Sequence, residues 1–170
     1  MKKVINEVQL RQIVAESIKD ILDEGTMNEE AKWIYLGVFL DEKSKSKLLA
    51  LANEIDIIPN SSWKLYCHHM TLAYNDKSER ASEIFNYYRS YIGEHVTLLA
   101  TEIGVSDKAI AVKMEWNNPS GNKINHITIA VSPDGKPVDS NKITNWKPLC
   151  RDLPFSGRIG YFATDKKIYF

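Results

Sequence analysis

His69-Met70-Thr71-Leu72-Ala73-Tyr74 alternates polar or small side chains with large apolar ones, and His126-Ile127-Thr128-Ile129-Ala130-Val131 repeats the alternation. Successive side chains of a β-strand point to opposite faces. Each stretch therefore reads as a strand with His, Thr and Ala on one face and apolar residues on the other. The apolar face suits a core. The small, polar face suits a cleft.

Residues 33–40, aromatic and β-branched, predict a buried strand upstream of the first motif. A helix over 41–53, with Leu48, Leu49 and Ala52 inward, and a break at 57–62 separate it from a second strand region at 63–74. Residues 78–92 predict a helix on the apolar stripe Ala81, Ile84, Phe85, Tyr88 and Ile92. Strands follow at 95–103, 109–115 and 125–131, with turns at Asn117 to Gly121 and at Ser132-Pro133-Asp134-Gly135. A last hairpin is expected around Thr164-Asp165, within a tail running from Gly157 to Phe170. At the other end, Leu10, Ile13, Val14, Ile18, Ile21 and Leu22 give a helical pattern over 5–24, stopped at Gly25 and followed by a polar linker. The expected division is an N-terminal helix and linker over 1–30 and one domain over 31–170. Alternating strands and helices followed by strands argue for a mixed α+β domain.

Twenty-two Lys and Arg balance twenty-two Asp and Glu. A polyanion gripped through many phosphates calls for a basic excess, so duplex DNA is disfavoured as a partner, while a pocket for one phosphate needs no such excess. No apolar run approaches the roughly 20 residues of a membrane-spanning helix. Acidic residues follow Lys2 and Lys3 too soon for a signal peptide. Cys67 and Cys150 form neither a metal-ligand spacing nor a disulfide framework, which suits a reducing compartment. A cytoplasmic protein is expected.

The two residue types in the repeated stretch belong together chemically. Opening a phosphodiester needs a base for the attacking oxygen and an acid for the leaving one, and imidazole, titrating near ~6.5, serves either role at neutral pH. Two imidazoles on opposite sides of phosphorus divide those roles. Threonine hydroxyls beside them donate to the non-bridging oxygens as charge builds there. This chemistry requires no metal, and no His/Asp/Glu cluster in the sequence is spaced to hold one, so neither metal nor cofactor is expected.

Paired His-x-Thr-x motifs on two strands, here His69-Met70-Thr71-Leu72 and His126-Ile127-Thr128-Ile129, resemble those of the 2H phosphoesterase superfamily, which includes RNA cyclic phosphodiesterases and 2′–5′ RNA ligase-like proteins. The resemblance spans about residues 31–170. It implies a bilobal α+β fold with pseudo-twofold symmetry, in which two antiparallel-rich sheets with flanking helices surround a central cleft. His69 and His126 would be its catalytic acid and base, with Thr71 and Thr128 on the phosphate. The implied activity is metal-independent cleavage of a 2′,3′-cyclic phosphate end, a 2′–5′ linkage or a small cyclic oligonucleotide. The partner is then a ribonucleotide or RNA end. Similar viral members destroy cyclic oligonucleotide signals used in host defence, which would place the enzyme in host cytoplasm. The stretch from His126 to Asn141 looks closest to small RNA-repair-like members.

His95-Val96-Thr97-Leu98 also fits the motif, but His95 lies 26 residues after His69 and 31 before His126, too close to either for a repeated lobe. Thr97, Leu99 and Thr101 suit a solvent-facing strand instead. His68 should face away from His69 on a regular strand. Cys67 shares a face with His69, yet i and i+2 side chains stand parallel and nearly 7 Å apart, poor geometry for a nucleophilic pair. Tyr35 and Trp146 are candidates to stack on a base, and Lys142 and Arg158 candidates to meet a phosphate. Two rival readings carry no catalysis: a module that binds a nucleotide or RNA end, and an interaction protein that uses the first helix and the sheet faces.

Overall fold

The computed structural model describes residues 31–170, and the helix expected over 5–24 lies outside them. Strand β1, Trp33–Leu40, ends at Asp41, whose carboxylate accepts the Ser44 amide at 2.7 Å and so caps helix α1, Glu42–Glu54. Strand β2, Lys64–Leu65, and strand β3, His69–Tyr74, follow. Ser78 caps helix α2, Glu79–Tyr88, through the Ala81 amide, and a 3-10 turn over Arg89–Tyr91 ends it. Three more strands come next: β4, His95–Val105; β5, Ala109–Glu115; and β6, His126–Val131. A 3-10 helix at Pro137–Lys142 leads into β7, Trp146–Ala163, which hairpins into β8, Ile168–Tyr169.

Six strands close into an antiparallel barrel in the order β1, β3, β6, β5, β4, β7 and back to β1. The 18-residue β7 makes the closure. Its first part pairs with β4, from Trp146↔Gly104 to Arg158↔His95, and its second with β1, from Gly157↔Leu40 to Ala163↔Trp33. Closure pairs the outer edges of β1 and β4 with β7, while β3 and β6 meet at a single bridge. This overturns the bilobal α+β fold with two sheets around a central cleft: the protein is mostly β and its sheet is one closed barrel. The overlooked strand is the reason. Residues 146–156 carry Pro148, Pro154, Lys147, Arg151 and Asp152 where apolar alternation would mark a strand, and they are largely exposed. Without them β1, β3, β6, β5 and β4 form one open sheet; with them its two ends meet.

Leu36, Val38, Met70, Leu72, Leu98, Ile110, Val112, Ile127 and Ile129 are fully buried in one core cluster, joined by Leu48 and Ala52 of α1 and by Ile84 and Tyr88 of α2. Burying that apolar surface is the main stabilising term. Ala109, Ala111 and Ile143 form a smaller cluster with Trp146 packed on it. Among the described residues no helix is long and apolar enough to cross a membrane.

Candidate active site

The apolar residues of both motifs, Met70, Leu72, Ile127 and Ile129, belong to the main core. Alternation therefore sends the His and Thr side chains of β3 and β6 to the opposite face of the sheet. The two strands are antiparallel neighbours bridged at one residue pair, Met70↔Ile127. Each is the residue between His and Thr in its motif. A directly opposed antiparallel pair is related by a local twofold axis, so the bridge sets His69 on the Thr128 side and Thr71 on the His126 side. Beyond the bridge the strands separate, and the Thr71 carbonyl accepts from the Asn122 side chain at 3.0 Å.

On the other side of the bridge the chain bulges. Cys67 donates its amide to the Thr128 carbonyl at 3.0 Å, yet Met70 already faces Ile127. Two extra residues, His68 and His69, occupy the gap, and Cys67 takes φ +54° to make room. That left-handed backbone is uncommon away from glycine, and it defeats the expectation that His68 faces away from His69. Their Nδ1 atoms lie 2.5 Å apart.

The His69 ring rests against β1, which presents Tyr35, Gly37 and Phe39 on one face. Tyr35 stacks on it with centroids 4.7 Å apart, and Phe39 lies at 5.5 Å. Gly37 supplies the notch between them: a Cβ there would stand 2.6 Å from the Met70 carbonyl oxygen and 3.6 Å from His69 Cδ2. His69 Nε2 lies 3.2 Å from Thr71 Oγ1. His126, buried, donates Nδ1–H to the Ile124 carbonyl at 2.8 Å, which leaves Nε2 for a ligand. Thr128 Oγ1 meets Ser140 Oγ at 2.9 Å, tying the 3-10 helix to β6.

His69, Thr71, His126 and Thr128 line one cavity of about 680 Å³. Its walls are the 3-10 helix with Pro137, Val138 and Asn141, the start of α2 with Ser78 and Arg80, and the loop at Gly121 and Asn122. Tyr66, His68 and Tyr74 also line it, with Ala73, Ala81, Ile84 and one carboxylate, Asp76.

The site's electrostatics follow from its low hydration. Burial, with His68 and His126 adding to it, pushes the His69 imidazole down to about 3. Burial also lowers His126, while its bond to the Ile124 carbonyl partly restores the proton. Burial lowers His68 as well, helped by Lys45 and Lys64. The same cause pushes the Cys67 thiol up to about 11, so that thiol is packed and protonated rather than a nucleophile.

Of the other candidates, Tyr35 lines the cavity. Trp146 packs on Ala109, Ala111 and Ile143 and donates Nε1–H to the Ile143 carbonyl at 3.0 Å. Lys142 pairs with Asp139 at 2.8 Å, and Arg158 lies 4.1 Å over the Phe170 ring. None of these three lines the cavity. His95 is exposed on β4, opposite Arg158. Arg80, Asn122 and Asn141 are unmarked in the sequence, because no periodicity tells that the start of α2, the loop at 121–122 and the 3-10 helix converge on β3 and β6, and His68, expected on the other face, is brought to the cavity by the bulge. Among the described residues no group of three His, Cys, Asp or Glu is placed to hold a metal ion.

The chain matches no protein-family model, and no curated protein matches it either. Fold and site together define a small antiparallel barrel in which two neighbouring strands carry a paired histidine–threonine pocket.

Proposed function

We propose that the protein is a metal-independent phosphodiesterase acting on a ribonucleotide phosphodiester that involves a 2′-oxygen, by the two-histidine chemistry of the 2H phosphoesterases. The observation that carries this is the convergence of His69, Thr71, His126 and Thr128 on one cavity. A cavity of about 680 Å³ is of small-ligand size.

The environments divide the roles. His69 is the harder of the two to charge and serves as the base, taking the proton of the attacking hydroxyl at Nε2. His126 keeps a carbonyl acceptor that favours its charged form and serves as the acid, giving a proton from Nε2 to the leaving oxygen. An anionic substrate between them raises both proton affinities, most where water is excluded. Thr71 and Thr128, one on each side of the local twofold, donate to the non-bridging oxygens.

The cavity continues on both sides of the bridge, towards Tyr74, Arg80 and Asn122 on one and Tyr66, Val138 and Asn141 on the other. Room and aromatic surface on both flanks favour a phosphorus with a nucleoside on each side, a 2′–5′ linkage or a small cyclic oligonucleotide, over a terminal cyclic phosphate. A cytoplasmic setting, the host's for a viral chain, accompanies such a substrate.

The test gives the protein and its His69→Ala, His126→Ala double variant, in EDTA, RNA ending in a 2′,3′-cyclic phosphate, 2′–5′-linked oligonucleotides, and cyclic dinucleotides and trinucleotides. Turnover by the parent and loss of about 10²-fold or more in the folded variant are expected. Activity that vanishes in EDTA and returns with one metal refutes the mechanism. Tight binding without product replaces it with a nucleotide-holding module.

A further inference from the structure

The bulge at Cys67 does more than shift the register. It turns His68, which alternation would send elsewhere, edge-on to His69. The ring centroids are 4.6 Å apart and the planes differ by 26°. Since the Nδ1 atoms are 2.5 Å apart, each must point at the other along the line joining the rings. Two imidazole nitrogens at that distance hold one proton between them: one donates and the other accepts.

We propose that His68 is a positioning and proton-accepting residue for His69, its Nδ1 receiving the His69 Nδ1–H and so fixing the tautomer in which His69 Nε2 is a base. The inference rests on the ring geometry for the shared proton, and on the phosphodiesterase reading for its direction and its catalytic part. If Nδ1 of His69 lacked its proton, Nε2 would carry it and could take none from a nucleophile. With His68 accepting at Nδ1, His69 Nε2 has a free lone pair, and Thr71 Oγ1 at 3.2 Å can donate to it until a phosphate takes that hydroxyl's bond.

During the reaction the attacking O–H gives its proton to His69 Nε2 as its oxygen bonds to phosphorus. The Nδ1 proton of His69 passes to His68 Nδ1. His126 gives its Nε2 proton to the leaving oxygen as the old P–O bond breaks. One proton enters the His69–His68 pair and one leaves His126, so the count balances, and solvent exchange returns the enzyme to its starting state. The relay moves the positive charge off His69, enclosed by Tyr35 and Phe39, onto a ring nearer the protein surface. The charged neighbours of His68 are Lys45 and Lys64, both cationic, with His69 on the inner side. These keep the relayed proton from being trapped.

The test uses the full chain, labelled with 15N at histidine, and its His68→Phe and His68→Gln variants. Imidazole NMR near pH 7 should find His69 of the parent protonated at Nδ1, and should find that preference lost in His68→Phe. A His69 protonated at Nε2 in the parent overturns the proposal, whether or not a substrate is known. With a substrate in hand, His68→Phe should lower kcat by about 10²-fold with KM little changed, the low end of what a positioned proton transfer contributes. His68→Gln, which can accept from His69 Nδ1 but cannot take its proton, should retain the tautomer and recover only part of the rate. Full kcat in a folded His68→Phe protein overturns the relay. A parent with the Nδ1–H tautomer and no phosphodiester turnover leaves the pair standing and removes the function proposed for the cavity.

Discussion

Replacing His69 by Gln should make the fold less sensitive to mild acid. In the folded protein burial, helped by His68 and His126, holds this imidazole neutral down to about pH 3. In the unfolded chain it protonates near ~6.5. Between those values the unfolded state binds a proton that the folded state refuses, so ν_U exceeds ν_N and unfolding becomes easier as pH falls. The stability tied to a neutral His69 is thus complete above ~6.5 and shrinks as pH drops through the window below it. At about 1.4 kcal/mol per pH unit once the unfolded ring is mostly charged, His69 alone costs about 2 kcal/mol between pH 7 and pH 5 as an upper figure, since water in the cavity lessens it. Gln keeps an amide within reach of Thr71 and does not titrate. Urea unfolding of parent and variant at pH 7, 6 and 5 measures the effect. His68 and His126 are lowered in the same direction and remain in both proteins, so the difference between the curves reports His69 together with what its loss does to these two neighbours. Parallel losses in the two proteins would refute the claim that His69 is enclosed and neutral.

Two further outcomes follow from the same geometry. With His69 as base and His126 as acid, kcat/KM rises as His69 loses its proton and falls as His126 loses its own. Both are lowered in the free protein, so the maximum should lie on the acid side of ~6.5 and kcat/KM should fall up to about tenfold per pH unit above it; a maximum near pH 8 contradicts the assignment. Gly37→Ala places a Cβ 2.6 Å from the Met70 carbonyl oxygen, so β1 and β3 must part. A loss of about 1–3 kcal/mol is expected from urea unfolding, and unchanged stability would mean that the strands have slack.

The sequence carries its local elements clearly and the closure poorly. Strands β1 and β5 fall on the predicted 33–40 and 109–115, because buried strands of a barrel are apolar enough to stand out. Helix α1 begins at Asp41 because a carboxylate there satisfies the amide of Ser44. The hairpin at 164–167 also falls where Thr164-Asp165 places it. Strand β7 is illegible for the opposite reason: much of its first half is solvent-exposed, and its prolines and charges look like a loop. Periodicity assigns the His and Thr side chains of each motif to one face, yet whether the strands around that face form two sheets or one closed barrel depends on β7. His68 is illegible too, since nothing in Tyr66-Cys67-His68 signals a left-handed Cys67.

The pairing at Met70↔Ile127 explains how a local twofold arises on a barrel without two lobes. An antiparallel bridge at the middle residue of each His-x-Thr sets each histidine towards the other strand's threonine. A slip of one residue would turn one motif into the core, where imidazole and hydroxyl lack partners, so the apolar pattern fixes the register. Symmetry of position, however, does not give symmetry of chemistry. The bulge supplies His69 with a ring nitrogen as neighbour, while the approach to β6 supplies His126 with a backbone carbonyl. A carbonyl only accepts, so it holds a proton on His126 Nδ1 in either charge state. A second imidazole can accept or donate, and can carry the proton away. Two identical residues placed by one twofold axis are thus made unlike by their second partners, and unlike proton affinities are what an acid and a base working together require.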